Sequence, residues 1–84
     1  MKMINVCTNC QVVETEQGNV VFSYGTPVFS IYDTMGGVSM GNRRLWNGWS
    51  ATTQRHINKA LDLYGIPHID KAKWMKMPVF DCKL

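Results

Sequence analysis

The strongest constraint on this chain is a helix with both ends written into the sequence. Ser50 can offer a side-chain oxygen to the unpaired amides of a first turn, and Ala51-Thr52-Thr53 follows it. Ile57, Ala60, Leu61 and Tyr64 recur at i, i+3, i+4 and i+7, which is one face of a 3.6-residue period. Gly65 stands where a left-handed residue closes a helix, and Pro67 forbids continuation. The pattern predicts one main helix over about 51–64, with Arg55, Asn58, Lys59 and Asp62 on its opposite face. An apolar stripe of this kind must be buried against another element, and the residues before it are β-prone.

Gln11-Val12-Val13-Glu14-Thr15 and Val20-Val21-Phe22-Ser23-Tyr24 are rich in strand formers. Glu16-Gln17-Gly18-Asn19 between them suits a hairpin turn. Pro27 cannot donate to a ladder, so Tyr24-Gly25-Thr26-Pro27 marks a turn, a bulge or an edge. Val28 to Asp33 reads as a third strand, Thr34-Met35-Gly36-Gly37 as a second turn, and Val38-Ser39-Met40 as the start of a weaker fourth strand. Gly41 to Trp49 is turn-rich and irregular towards its end. Trp74 to Phe80 alternates weakly, with Met75, Met77 and Val79 on one side, and reads as a last strand placed at an edge by Pro78. These elements predict an α+β fold: a small antiparallel sheet of three to five strands packed on one main helix, in a single domain over residues 1–84.

Hydrophobic residues make up 45% of the chain, and nine are aromatic, enough for a core without staples. No run approaches the ~20 apolar residues of a membrane span, so no membrane partner is expected. Met1 to Val6 lacks the apolar centre of a signal peptide, and a cytoplasmic location is the expectation. Three cysteines do not make a disulfide framework. Cys7-Thr8-Asn9-Cys10 could supply half of a zinc site, and Cys82, His56 and His68 are the further ligand types on offer. No second paired motif completes the set. No metal is expected, with Cys7, Cys10 and Cys82 as the candidates if one binds. A redox motif would need a helix after the pair, whereas Gln11-Val12-Val13 is β-prone.

No catalytic constellation is legible. Gly36-Gly37 and Gly41 lack the strand–helix context of a phosphate loop. The six carboxylates form no acid/base pair, and His56 lies beside the apolar stripe with no nucleophile or orienting carboxylate marked in the sequence. A boundary histidine bonded to backbone or sheet edge accounts for it. The chain is expected not to be an enzyme and to need no cofactor. Residues 1–33 set Lys2 against Glu14, Glu16 and Asp33, net −2, while residues 34–84 set eight Lys and Arg against Asp62, Asp70 and Asp81, net +5. Within the basic part, Arg43-Arg44-Leu45-Trp46-Asn47-Gly48-Trp49 interleaves guanidinium groups with indoles. Arg pairs carboxylate or phosphate bidentately, and Trp stacks on bases or anchors protein interfaces. The expected binding surface is therefore Arg43, Arg44, Trp46 and Trp49 with Arg55 and Lys59. The plainer account is that Trp46 and Trp49 close the core and the arginines are merely solvated.

Tyr24-Gly25-Thr26-Pro27-Val28, Asp33, and the run from Trp49-Ser50-Ala51-Thr52-Thr53 through Gln54-Arg55-His56-Ile57-Asn58-Lys59-Ala60-Leu61 together resemble small phage and prophage proteins of unknown function. Their pattern is Tyr-x-Thr-Pro-Val, a hairpin, then Ser-x-Thr-Thr-x-Arg-His-Ile-Asn before an apolar helix. The resemblance covers roughly residues 20–64 and leaves Cys7, Cys10 and the tail outside it. It implies a phage origin, a host-cell cytoplasmic location and a hairpin-plus-helix fold, and it carries over no catalytic residue. The leading expectation is a protein-binding modulator or inhibitor of a host enzyme or defence complex, with a host or phage protein as partner. A nucleic-acid-binding module and a zinc-stabilised domain are the alternatives. If the helix carries the core, Ile57→Ala or Leu61→Ala costs about 2–5 kcal/mol in chemical denaturation. Unchanged melting in both variants would refute that.

Overall fold

The computed structural model describes residues 2–16, 18–34 and 39–80. Strands β1 (Lys2–Cys7), β2 (Cys10–Thr15), β3 (Gly18–Ser23), β4 (Thr26–Thr34) and β5 (Ser39–Arg44) form one antiparallel sheet in chain order. Helices α1 (Ala51–Leu63) and α2 (Lys71–Lys76) follow. The registers align Ile4, Val12, Val21, Phe29 and Arg44 in one row across all five strands. Ile57, Ala60 and Leu61 of α1 and Trp74 of α2 are buried with this row. The next row, Met3, Val13, Val20, Ser30 and Arg43, therefore points to the other side of the sheet. Both helices lie on the first face, so the fold is a two-layer α+β arrangement with one main helix.

Local chemistry explains the joints. Pro27 pairs with Phe22 while Phe29 pairs with Val21, so a bulge absorbs the extra Val28, whose side chain is buried in the core. A second irregularity interrupts β1 between Asn5 and Cys7. Asn9 and Tyr24 both take left-handed backbone angles, and the Tyr24 amide donates to the Asn9 carbonyl at 2.8 Å, tying two turns together. Ser50 caps α1 by accepting from the Thr53 amide at 3.0 Å, and Gly65 closes it at φ +66°. Asn58 Oδ1 accepts the Ile69 amide and Gln54 Nε2 donates to the Ile69 carbonyl, each at 2.9 Å, which returns the chain along α1.

Three segments differ from the sequence expectation. Lys2–Cys7, left unassigned by pattern, is the edge strand β1. Gly41 to Arg44 belong to β5, and the irregular stretch begins only after Arg44. Residues 71–76 are helical rather than a last strand, because Asp70 accepts from the Lys73 amide as an N-cap and the turn drops Trp74 onto Phe29, 6.1 Å between ring centres. Val79 makes a single parallel bridge to Arg44, and the Phe80 amide donates to the Arg44 carbonyl at 2.8 Å. Met35, Gly36 and Gly37 of the second turn, Val38 of the fourth strand, and Cys82 lie outside the described residues.

Arg44 closes the core row and is 4% exposed. Its guanidinium has five N–H donors. Nε donates to the Trp46 carbonyl (2.9 Å), Nη1 to those of Trp74 (3.0 Å) and Met77 (3.3 Å), and Nη2 to those of Asn47 (2.9 Å) and Gly48 (3.4 Å). The Trp74 ring lies 4.8 Å away, and its Nε1 donates to the Gly48 carbonyl at 2.9 Å. One side chain thus fastens the segment after β5 and the end of α2 to the sheet. Lysine has three donors and no plane, so Arg44→Lys leaves part-buried carbonyls among these five without their donor and a cation buried beside them. We expect it to lose about 3 kcal/mol or more in urea denaturation, while Arg43→Lys stays within about 1 kcal/mol of the native chain. Equal stabilities for the two variants would show that Arg44 is not a fastening.

Candidate functional site

The six residues of the basic and aromatic set do not share one surface. Arg44 is buried and used up by carbonyls, contrary to its expected exposure, because β5 extends to it and puts it on the helix-covered face. Trp46 is half-buried against the core. Trp49 is 36% exposed, donates through Nε1 to Gln54 Oε1 at 2.6 Å, and carries the Lys71 ammonium 4.3 Å from its ring centre. Arg55 and Lys59 are exposed on α1, in the helical layer. Arg43 alone stands on the far face of the sheet. The alternation that buries Arg44 turns Arg43 outward.

Arg43 is the centre of a built arrangement that its sequence neighbourhood does not show. Tyr32 pairs with Gly41 across the ladder, and its ring lies over that glycine. A Cβ at residue 41 would stand 2.4 Å from Tyr32 Cζ, so only glycine lets the ring cross to β5. The Arg43 guanidinium then sits 4.6 Å from the Tyr32 ring centre and 5.1 Å from that of Phe80, a cation between two aromatic faces. Among the described residues no carboxylate pairs with it. Met3 is 69% exposed on the same face, and Phe22 and Val13 are half-buried there. Tyr32 and Phe80 escaped the sequence reading. The signal that could have found Tyr32 is Gly41 opposite an aromatic residue, which needs the register; nothing in sequence connects Phe80 to Arg43.

Ser50, Thr53, Gln54, His56 and Asn58 of the 50–58 stretch are engaged within the fold, while Arg55 is exposed. Ser23 Oγ lies 2.8 Å from His56 Nδ1 and 3.2 Å from Thr53 Oγ1, joining β3 to α1. All three residues are buried, and the Tyr24 ring is tilted against the imidazole at 5.6 Å. Among the described residues no carboxylate pairs with His56, and the cluster joins the two layers. Cys7 and Cys10 are free thiols, and the described residues bring no group of three metal-ligating side chains together.

Burial, then the charges of Lys59 and Arg55, push the His56 pKa below the ordinary 6.5. A folded value below the unfolded one means that the unfolded chain takes up the proton first. The stabilisation from neutral His56 is therefore whole above pH 6.5 and is lost as the pH falls from there towards the depressed folded value. The melting temperature should drop more steeply from about pH 7 to 5 in the native chain than in His56→Gln. Parallel curves would show that His56 is not held neutral by the fold.

A protein-family model described as a family of unknown function, DUF8033, matches residues 2–76. No curated protein and no solved structure shows a significant match. The matched segment begins with β1 and ends with α2, so it contains the whole two-layer unit and stops short of Phe80. The chain belongs to the family of unknown function DUF8033.

Proposed function

We propose that this protein is a non-catalytic binding module that uses the sheet face opposite the helices, around Tyr32, Arg43 and Phe80, to hold a protein partner presenting a carboxylate within an apolar patch. The observation that carries the reading is the Arg43 guanidinium, exposed yet oriented by two aromatic rings and lacking a carboxylate among the described residues. Arginine and tyrosine of this kind dominate protein interfaces, because a pre-oriented guanidinium loses little entropy on pairing. Val13, Phe22 and Met3 supply apolar surface around it. The chemistry fits a nucleic acid less well. Arg43 is the cation of its row, whereas a strand needs several phosphates neutralised, and Arg55 and Lys59 lie on the opposite layer. The resemblance to small phage proteins supports a phage-encoded accessory that modulates a host enzyme or defence complex in the cytoplasm.

The test begins with capture from infected-host lysate, with and without nuclease, followed by purification of the captured protein. Arg43→Glu should weaken its binding by about 100-fold or more, because a buried partner carboxylate would meet a like charge. Arg55→Glu with Lys59→Glu should change affinity by less than about threefold. The reading fails if Arg43→Glu binds as tightly as the native chain, or if capture is lost with nuclease.

A further inference from the structure

A second chemistry lies at the other end of the sheet, in the turn between β1 and β2. Cys7 and Cys10 are the last ladder partners of these strands, joined through Thr8 and Asn9. Direct antiparallel partners have Cα atoms about 4.5–5.5 Å apart. That lies within the roughly 4.4–6.8 Å that a disulfide spans. Partners on one rung also project to the same side, and Cys7 packs against the core cluster that contains Cys10. The frame is held: Asn9 sits at φ +63° and its carbonyl accepts the Tyr24 amide at 2.8 Å. Both thiols are free.

The two sulfurs are not equivalent. Cys7 is half-buried, with its S–H towards the Thr8 carbonyl at 3.7 Å. Cys10 is wholly buried, and its S–H is directed at the His56 carbonyl at 3.7 Å. Burial first, then the charge and hydrogen bond of the neighbouring Cys7 thiol, push Cys10 up to about 12. Cys10 therefore stays protonated at neutral pH and does not compete as the first nucleophile.

We propose that Cys7 and Cys10, held on one rung of a hairpin rather than at the start of the helix that a helical redox motif would need, form a thiol–disulfide exchange pair, in which Cys7 attacks a low-molecular-weight disulfide and Cys10 resolves the adduct. In the first step the Cys7 sulfur attacks one sulfur of the small disulfide. The S–S bond breaks, and one small thiol leaves with the proton that Cys7 gave up. In the second step Cys10 loses its proton and attacks the Cys7 sulfur, and the second small thiol leaves with that proton. The protein dithiol is oxidised by two electrons to a Cys7–Cys10 disulfide, and the small disulfide is reduced to two thiols. This activity is independent of the Arg43 face.

The experiment uses the full chain carrying Cys82→Ser, folded in native buffer, with glutathione disulfide as the probe. Peptide mapping should find a Cys7–Cys10 disulfide and the loss of two hydrogens from the intact mass. Adding Cys10→Ser should trap glutathione on Cys7, whereas Cys7→Ser should form an adduct at Cys10 at least about tenfold more slowly. Should the Cys10 variant fail to fold, pulse alkylation of the Cys82→Ser protein with iodoacetamide gives the same order, with Cys7 labelled at least about tenfold faster than Cys10. The proposal is overturned if the disulfide forms only in denaturant, or if Cys10 reacts as fast as Cys7.

Discussion

The structure depends on one buried cation. Arg44 ends the core row, and its five donors meet five backbone carbonyls drawn from the 46–48 segment and from the end of α2. The Trp46, Asn47 and Met77 carbonyls belong to segments with little regular hydrogen bonding of their own, and the guanidinium supplies their donor, while the Trp74 and Gly48 carbonyls also accept from the Met77 amide and Trp74 Nε1. The partners are dipoles rather than a carboxylate, which spares the fold a second buried ion. Two of them, Trp74 and Met77, lie at the C-terminal end of α2, where a helix favours positive charge. Trp74 can then cover Phe29, and the short α2 becomes part of the core.

How much of this is legible in the sequence depends on the range of the interaction. Local chemistry was readable: Ser50 as cap, Gly65 as stop, the Ile57–Leu61 stripe and the hairpin through Gly18 all stand as the pattern predicts. Register was not. Arg43 and Arg44 are neighbours with the same chemistry, and only the pairing of Phe29 with Arg44 decides which is buried. A one-residue slip would exchange their roles. The tail misled because Met75, Met77 and Val79 mimic strand alternation, while the signal that matters is Asp70 three residues ahead of the Lys73 amide. The Tyr32–Arg43–Phe80 arrangement joins three distant stretches of chain, and none marks the others in sequence.

The polar residues of the most recognisable stretch are spent on the fold. Ser50 caps, Thr53 and His56 meet Ser23, Gln54 and Asn58 hold Ile69. Arg55 is the polar residue of that run left facing outward. A pattern built on these positions therefore identifies the two-layer architecture rather than a surface.

The sheet's two borders have a consequence for the protein at high concentration. An antiparallel sheet with two edge strands would ordinarily be at risk of joining others edge to edge into fibrils. Here the irregularity between Asn5 and Cys7 breaks the run of evenly spaced amides on the β1 border, and Lys2 places a charge there. On the β5 border, the Phe80 amide already occupies the Arg44 carbonyl. The β1 border therefore offers an incoming strand no long, regular template, and the β5 border is closed at its Arg44 end, so both flanks of the sheet carry a local obstacle to polymerisation.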